Sequence, residues 1–495
     1  MTLYTNFTDG LTGQRRRMLV EDGRVVWNTT DAGADAPTAE VINLRGRVLS
    51  PKFVDAHCHI LPMGLDLQKL HLGDCQTKAD VLDSVRHRHN DHPDGWLMAV
   101  HYDQTKFADG EHLTRLELDA ISTTRPILLR HVNGHASVAN TGALMAAQVT
   151  RATPDPSGGT FVRDASGELT GVLLEHAHER VTAAAPSPTV EQMVHAILAA
   201  GDKMAKFNIG TATDMMTGRY DLPKELEAYR LAAERGNPIR VRLCLQWGSV
   251  FLRQEDRSRK MRDDLAELTA GFNPETLKVW GVKIFADGAI GSATAAIYGR
   301  FTGSSPEGDS DGQLMYSADR FKEMVRMADD AGFCIATHTI GDRSTDLVMD
   351  AYEQTQNPRR HRIEHAMMLS DAQIERMAKL GSHVTMQPEF LHRFGHAYQR
   401  QLGSERAAKL KRFRSVLDAG IELSFNSDSP IVLGDPIIGI ETACNRPTGF
   451  DPGENTTREE ATRAYTEMGA RANHDHGLMG TLAENELADF FIAEE

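Results

Sequence analysis

Cysteine is scarce in this chain: Cys58, Cys75, Cys244, Cys334 and Cys444 lie scattered through 495 residues and never form a Cys-x-x-Cys pair. An odd, dispersed set argues against a disulfide framework and suits reduced thiols in a cytoplasm. Long apolar runs are missing too. No stretch reaches the roughly 18 residues that a membrane span needs, and no apolar segment follows Arg15-Arg16-Arg17, so neither a spanning helix nor a secretory signal is expected. Excess positive charge is also absent. A net charge of −15 leaves no footprint for nucleic acid or an anionic membrane. A small molecule is therefore the expected partner, and assembly as a homodimer is left open.

What remains is ordinary globular composition, 41% hydrophobic and 25% charged, in a chain long enough for a large barrel with accessory layers. Residues 1–50 alternate short β-like pieces (Arg17-Met18-Leu19-Val20, Arg24-Val25-Val26-Trp27, Val41-Ile42-Asn43-Leu44) with turn-rich segments. Gly480-Thr481-Leu482 and Ala488–Ala493 repeat the pattern, so residues 1–50 and 478–495 are expected to build one small β-sandwich domain. Between them, at 51–477, eight β-rich runs begin with Phe53–His59 and end with Glu422–Asp428. From the second run on they alternate with helix-like stretches such as Arg320–Ala331, which predicts a parallel (β/α)8 barrel of TIM type. The segment from about 65 to 185 is too long for a βα loop and reads as an insertion after barrel strand 1, over the barrel mouth, with its own helices.

Val54-Asp55-Ala56-His57-Cys58-His59 places two imidazoles on one face of a strand with Cys58 on the other, which is half a zinc site or a pair of packed histidines. Later run ends carry His338, His365 and Asp428, and in this fold catalytic groups come from the C-terminal ends of different strands. Lys283 sits within the apolar Val282-Lys283-Ile284-Phe285, where an ammonium is costly to bury. One reading is a neutral amine that takes up CO2 as an anionic carbamate, and the other is a snorkelling or ion-paired lysine. Asp287 and Asp342 are candidates for orienting ligands or for capping helices, and His383 and His392 for reaching the barrel mouth.

These residues bring a family into view. The chain resembles the amidohydrolase superfamily, in its YtcJ-like branch (amidohydrolase family 3), which includes N-substituted formamide deformylases. Besides the segments above, the likeness rests on Arg130-His131-Val132-Asn133-Gly134-His135-Ala136, Gly171–Glu175, Val282–Gly291, His338–Asp342, Arg362–Ala366, Gln387-Pro388, Ser427-Asp428-Ser429-Pro430 and Leu487–Phe490. It departs at Lys52, where the family usually has Gly, and at His101-Tyr102-Asp103, where Gly-Trp-Asp is usual. The resemblance implies that His57 and His59 bind one metal and His338 and His365 a second, with carboxylated Lys283 bridging them. It further implies that Asp428 is both ligand and proton shuttle, and that His135 contacts substrate.

The expected function is metal-activated hydrolysis of a non-peptide carbon–nitrogen bond of amide, N-acyl or formamide type. The expected cofactor is zinc, two ions per chain, with other divalent metals allowed. Ester or lactone hydrolysis and deamination are rivals on the same site, and a metal-binding regulator without catalysis is a rival in kind.

Overall fold

The computed structural model describes residues 1–31, 36, 38–132, 136–156, 159–251, 261–302 and 310–493. Two compact units divide the chain, one of Met1–Pro62 with Ile197–Glu495 and one of Met63–Ala196.

The first unit holds the barrel. Strands Phe53–Cys58, Ile209–Thr217, Arg240–Gln246, Leu277–Phe285, Cys334–Thr339, Arg362–His365, His383–Met386 and Leu423–Phe425 pair in sequence order as one eight-stranded sheet. They are barrel strands one to eight. Every ladder between them is parallel. Strands one, six, seven and eight are buried at every position, as strands covered on both faces must be.

Helices connect the later strands, and local sequence sets their ends. Ala318–Asp330 starts where the Ser317 side chain accepts from Arg320 N–H, and it buries Phe321, Met324, Val325 and Ala328 as one stripe. Asp371–Leu380 opens with a capping box between Ser370 and Gln373 and stops at Gly381, whose φ of 72° few other residues adopt cheaply. Among the described residues, no helix is long and apolar enough to cross a membrane.

Strand eight meets strand one without a regular ladder among the described residues. The seam is closed instead by Asp428 N–H on the His57 carbonyl and His59 N–H on the Ser429 carbonyl, each at 2.8 Å. Beneath them, the buried Asp55 carboxylate accepts from Ser427 N–H at 3.1 Å, from the Ser427 hydroxyl, and from His57 N–H at 3.3 Å. Closing the barrel and bringing His57 to Asp428 are thus one event.

Thr2–Asp9, Arg15–Glu21, Arg24–Thr29, Glu40–Asn43, Val48–Pro51 and Phe490–Ile492 form the terminal sheet. The strands expected to pack as a sandwich share one hydrogen-bonded network that forks at Thr2–Asp9. Its first half pairs with Glu40–Asn43 and its end with Val48–Pro51. Phe7, Met18, Val25, Leu44, Leu49 and Leu482 fill the core. Gly480–Leu482, expected as a strand, turns instead through positive φ at Gly480 (110°) and Leu482 (57°), and contributes Leu482 to that core.

Within Met63–Ala196, helices accompany a sheet that the sequence reading did not anticipate. Its order is Gly159–Arg163, Leu169–Glu175, Ala136–Ala139, Ile127–His131, Leu97–Tyr102, Leu70–His71. These strands have two to seven residues, and several are buried on both faces, so they show neither the length nor the alternation that marks a strand in sequence.

Asp55→Ala is expected to orphan buried donors at the seam, each at about 1–3 kcal/mol, lowering Tm. Hydrogen exchange measured residue by residue should accelerate at Ser427 and Asp428 while Val282 in strand four keeps its protection.

Candidate metal centre

The C-terminal ends of the strands carry the site. His57 is the penultimate residue of strand one and His59 follows that strand, with Cys58 between them turned to the Thr213 carbonyl. Strand four supplies Lys283, strand five His338 and strand six His365, and Asp428 lies just past strand eight. Rings of His57 and His59 lie 5.6 Å apart, those of His57 and His365 4.8 Å, and those of His338 and His365 4.4 Å. Lys283 Nζ is 3.2 Å from His57 Nε2. Asp428 Oδ1 stands 2.8 Å from His59 Nε2 and 3.5 Å from His57 Nε2. The structure therefore brings together all six residues nominated as ligands. His365 and Asp428 both hold positive φ, 71° and 55°, a strained backbone for non-glycine residues of the kind that gathers at functional sites.

Each of three imidazoles has one nitrogen committed to an acceptor. His57 Nδ1 lies 2.6 Å from a carboxylate oxygen of Glu364, which can only accept, so Nδ1 carries the hydrogen and Nε2 keeps its lone pair. His338 Nε2 lies 3.0 Å from the Gly288 carbonyl, which leaves Nδ1 as the free donor of electrons. His365 Nδ1 lies 3.0 Å from Gln387 Oε1, which frees Nε2. Such partners fix the tautomer and the ring plane of a metal ligand.

Burial keeps His57, His338 and His365 neutral, the form that binds metal. Desolvation first, and the nearby Lys283 second, lower His57 to about 4 and His338 to about 3. Burial also pushes His365 well below the usual histidine range, helped by His338 and His57. For Asp428, burial alone would raise the carboxyl, yet His57, His59 and Lys283 bring it down to about 2, so it is ionised at neutral pH. Burial lowers Lys283 from the ordinary lysine range, and no carboxylate among the described residues forms an ion pair with it.

Other nominated residues fall elsewhere. His135 lies outside the described residues. Asp287 accepts from Ile340, Gly341 and Ala296 N–H and from the Ser344 hydroxyl, and so anchors the loop behind His338, whose Nε2 is 3.8 Å away. Asp342 accepts from Tyr298 N–H at 2.8 Å and serves the start of helix Asp342–Tyr352. His383 is the first residue of strand seven, facing Glu422, and hence belongs to the opposite end of the strands from the site rather than to the mouth.

Sequence reasoning passed over Asp55, Arg362, Glu364, Gln387 and Lys411. The Arg-x-Glu spacing before His365 was a legible signal, because residues two apart share a face of a strand. Arg362 Nε bonds Glu364 Oε1 at 2.7 Å, and its guanidinium reaches the Ala56 carbonyl at 2.6 Å and lies over Trp280.

The donor set fits a divalent cation. Candidate atoms of His57, His59 and Asp428 all lie within 4.8 Å of one another. Asp428 Oδ1 and His59 Nδ1 are buried yet make no well-formed hydrogen bond, and neutral imidazoles with a carboxylate are what zinc and its neighbours accept. Fold and site together define a metal-dependent hydrolase of the barrel class.

Comparison with known proteins gives the family. The model of the amidohydrolase family, Amidohydro_3, matches residues 40–495, and the chain belongs to that family. YtcJ of Bacillus subtilis is 29% identical over 506 residues, covering 99% of this chain and 92% of that protein. An N-substituted formamide deformylase of Arthrobacter pascens is 29% identical over 503 residues, covering 96% and 89%. The solved structure of an uncharacterized metal-dependent hydrolase from Pyrococcus furiosus aligns with a TM-score of 0.82 at 26% identity, covering 100% of this chain and 99% of that one.

Glu364→Gln should weaken the binding of an added divalent cation about 10–100-fold, since His57 loses the partner that fixes its tautomer. Competition against a chelator of known affinity measures it, with circular dichroism to confirm the fold.

Proposed function

We propose that this protein hydrolyses a carbon–nitrogen bond, other than a peptide bond, in a small molecule of amide, N-acyl or formamide type. The observation that carries the reading is an ionised Asp428 carboxylate at the C-terminal strand ends, with Oδ1 3.5 Å from Nε2 of the neutral His57 and 2.8 Å from His59 Nε2. The similarity to an N-substituted formamide deformylase supports the choice of bond.

His57, His59, His338, His365, Lys283 and Asp428 would hold the metal, zinc in the first instance. A divalent cation bound there lowers the pKa of a coordinated water and polarises a substrate carbonyl. The protein's own part follows from its charges. Asp428, ionised at neutral pH, accepts the proton of the attacking water and returns it to the leaving nitrogen, so an amine rather than an amide anion departs. Glu364 and the Gly288 carbonyl keep His57 and His338 in the tautomers that present a lone pair.

Lys283 enters as a carbamate in this proposal. Its neutral Nζ attacks the carbon of CO2, an N–C bond forms as one C=O π bond opens to an anionic oxygen, and the nitrogen releases a proton to water. The product is an anion with two oxygens, suited to bridging two cations, whereas an ammonium would repel them. A buried amine with Nζ 3.2 Å from His57 Nε2 and no carboxylate partner among the described residues supports this step.

Zinc-loaded protein is expected to turn over N-substituted formamides or other amides faster than esters and lactones. In the same assay Asp428→Asn should lose roughly two to four orders of magnitude in kcat. A panel in which esters dominate, or a metal-loaded Asp428→Asn enzyme with full rate, would overturn the reading. Lys283→Ala is expected to lose metal and activity together, with partial recovery of both on adding formate or propionate with zinc. Elemental analysis and mass spectrometry under native conditions, reading a gain of CO2 on the unmodified chain, check the carbamate.

A further inference from the structure

Lys411 is a second fully buried lysine, remote in sequence from every metal-ligand candidate except Asp428. Its Nζ lies 2.6 Å from Gln387 Oε1, 3.4 Å from the His365 carbonyl, and 5.2 Å from the centre of the Phe390 ring. Among the described residues no carboxylate forms an ion pair with it, and burial lowers it well below the ordinary lysine range. Its backbone has a φ of 56°, which the surroundings hold from both sides: Lys411 N–H donates to the Met367 carbonyl at 2.9 Å, while Arg446 and Phe413 N–H donate to the Lys411 carbonyl. A strained, desolvated amine kept in place this firmly calls for a task.

The chemistry of donors and acceptors supplies one. Lys411 Nζ donates to the two oxygens it meets, Gln387 Oε1 and the His365 carbonyl, and reversal of the amide would also set Gln387 Oε1 against Asn426 Oδ1, so the atom of Gln387 that faces Lys411 is Oε1 and not the NH2 group. The same oxygen faces His365 Nδ1 at 3.0 Å, and the Gln387 NH2 is taken up by Asn426 Oδ1 at 2.8 Å. Were the amide reversed, NH2 would point at Lys411 and at His365 together. His365 would then have to accept at Nδ1, its hydrogen would move to Nε2, and the nitrogen meant for a cation would carry a proton.

We infer that Lys411 is a positioning residue that locks the Gln387 amide and, through it, fixes His365 in the tautomer whose Nε2 is free to bind a metal. His57 and His338 need no such lock, because a carboxylate and a backbone carbonyl cannot reverse. Gln387 is the one reversible partner among the three, and Lys411 is what makes it behave as a fixed acceptor. The inference rests on the metal reading of the site for its consequence.

The test is the zinc dissociation constant of the full-length protein, from chelator competition, together with the 15N-imidazole spectrum of the metal-free form. Gln387→Met should weaken zinc roughly 10–100-fold. Gln387→Glu should keep it within about threefold of wild type, since a carboxylate accepts from both Lys411 and His365 and the otherwise unpaired Asn426 NH2 can turn to meet it. Lys411→Met should fall between these, and its metal-free spectrum should show His365 as a mixture of tautomers where wild type shows Nδ1–H alone. Assignment of that resonance comes from its absence in His365→Gln. Wild-type affinity in Gln387→Met, equal loss in Gln387→Glu and Gln387→Met, or a single unchanged tautomer in Lys411→Met would overturn the lock. Failure of the wild-type protein to bind zinc would count against the metal reading instead.

Discussion

The Glu364 carboxylate, wholly enclosed between strands six, seven and one, is the group on which the site depends. It receives Arg362 Nε at 2.7 Å, His57 Nδ1 at 2.6 Å and the Thr385 hydroxyl. Burial alone would protonate it, but Arg362 and His57 hold it well below the usual carboxylate range, so it stays an anion in a dry place. Remove the charge and two consequences follow at once. Arg362, left with the Ala56 carbonyl, Asn473 and the Trp280 face, becomes an uncompensated cation, and His57 loses the partner that decides which of its nitrogens is bare. Stability of the barrel interior and readiness of the site are therefore tied to one side chain.

The same economy recurs at the seam. Eight twisted strands must close, and here the last closure is made by Asp55 and by two backbone bonds that involve His57, His59, Asp428 and Ser429. Residues that would hold a cation are thus the residues that join the sheet to itself. A site built at the join inherits its precision from the barrel, which is why positive φ at His365 and Asp428 can be sustained without local glycine.

Much of this was legible from the chain alone, and the physical reason is periodicity. His-x-His on a β-like run, single histidines at later run ends and a lysine inside Val-Lys-Ile-Phe are local patterns, and strand number followed from alternation with helices. What was not legible is mostly long-range. Gln387 and Lys411 become informative only when a fold places them beside His365, and the Asp55–Ser427 contact spans the whole barrel. Arg362 and Glu364 are the exception: two opposite charges two residues apart in a β-like run lie on one face and can satisfy each other there, a pairing that their spacing alone suggests. The sheet within Met63–Ala196 was hidden for a different reason, since strands as short as Leu70–His71 leave no periodic trace.

Why the interior should carry ions at all, where apolar side chains would pack more cheaply, has an answer in the cation the site is fitted to hold. Neutral imidazoles can be presented in either tautomer, and only a partner that is unable to donate removes the choice. A carboxylate and a backbone carbonyl meet that condition by their nature, and a glutamine meets it only when donors are fixed against its oxygen. The two buried ionisable side chains behind the ligands, Glu364 and Lys411, act in opposite senses toward the same end: one accepts outright, the other turns an ambiguous amide into an acceptor. Each is costly to bury, and an apolar replacement of the same volume would spare that cost while leaving the lone pairs of the site undirected.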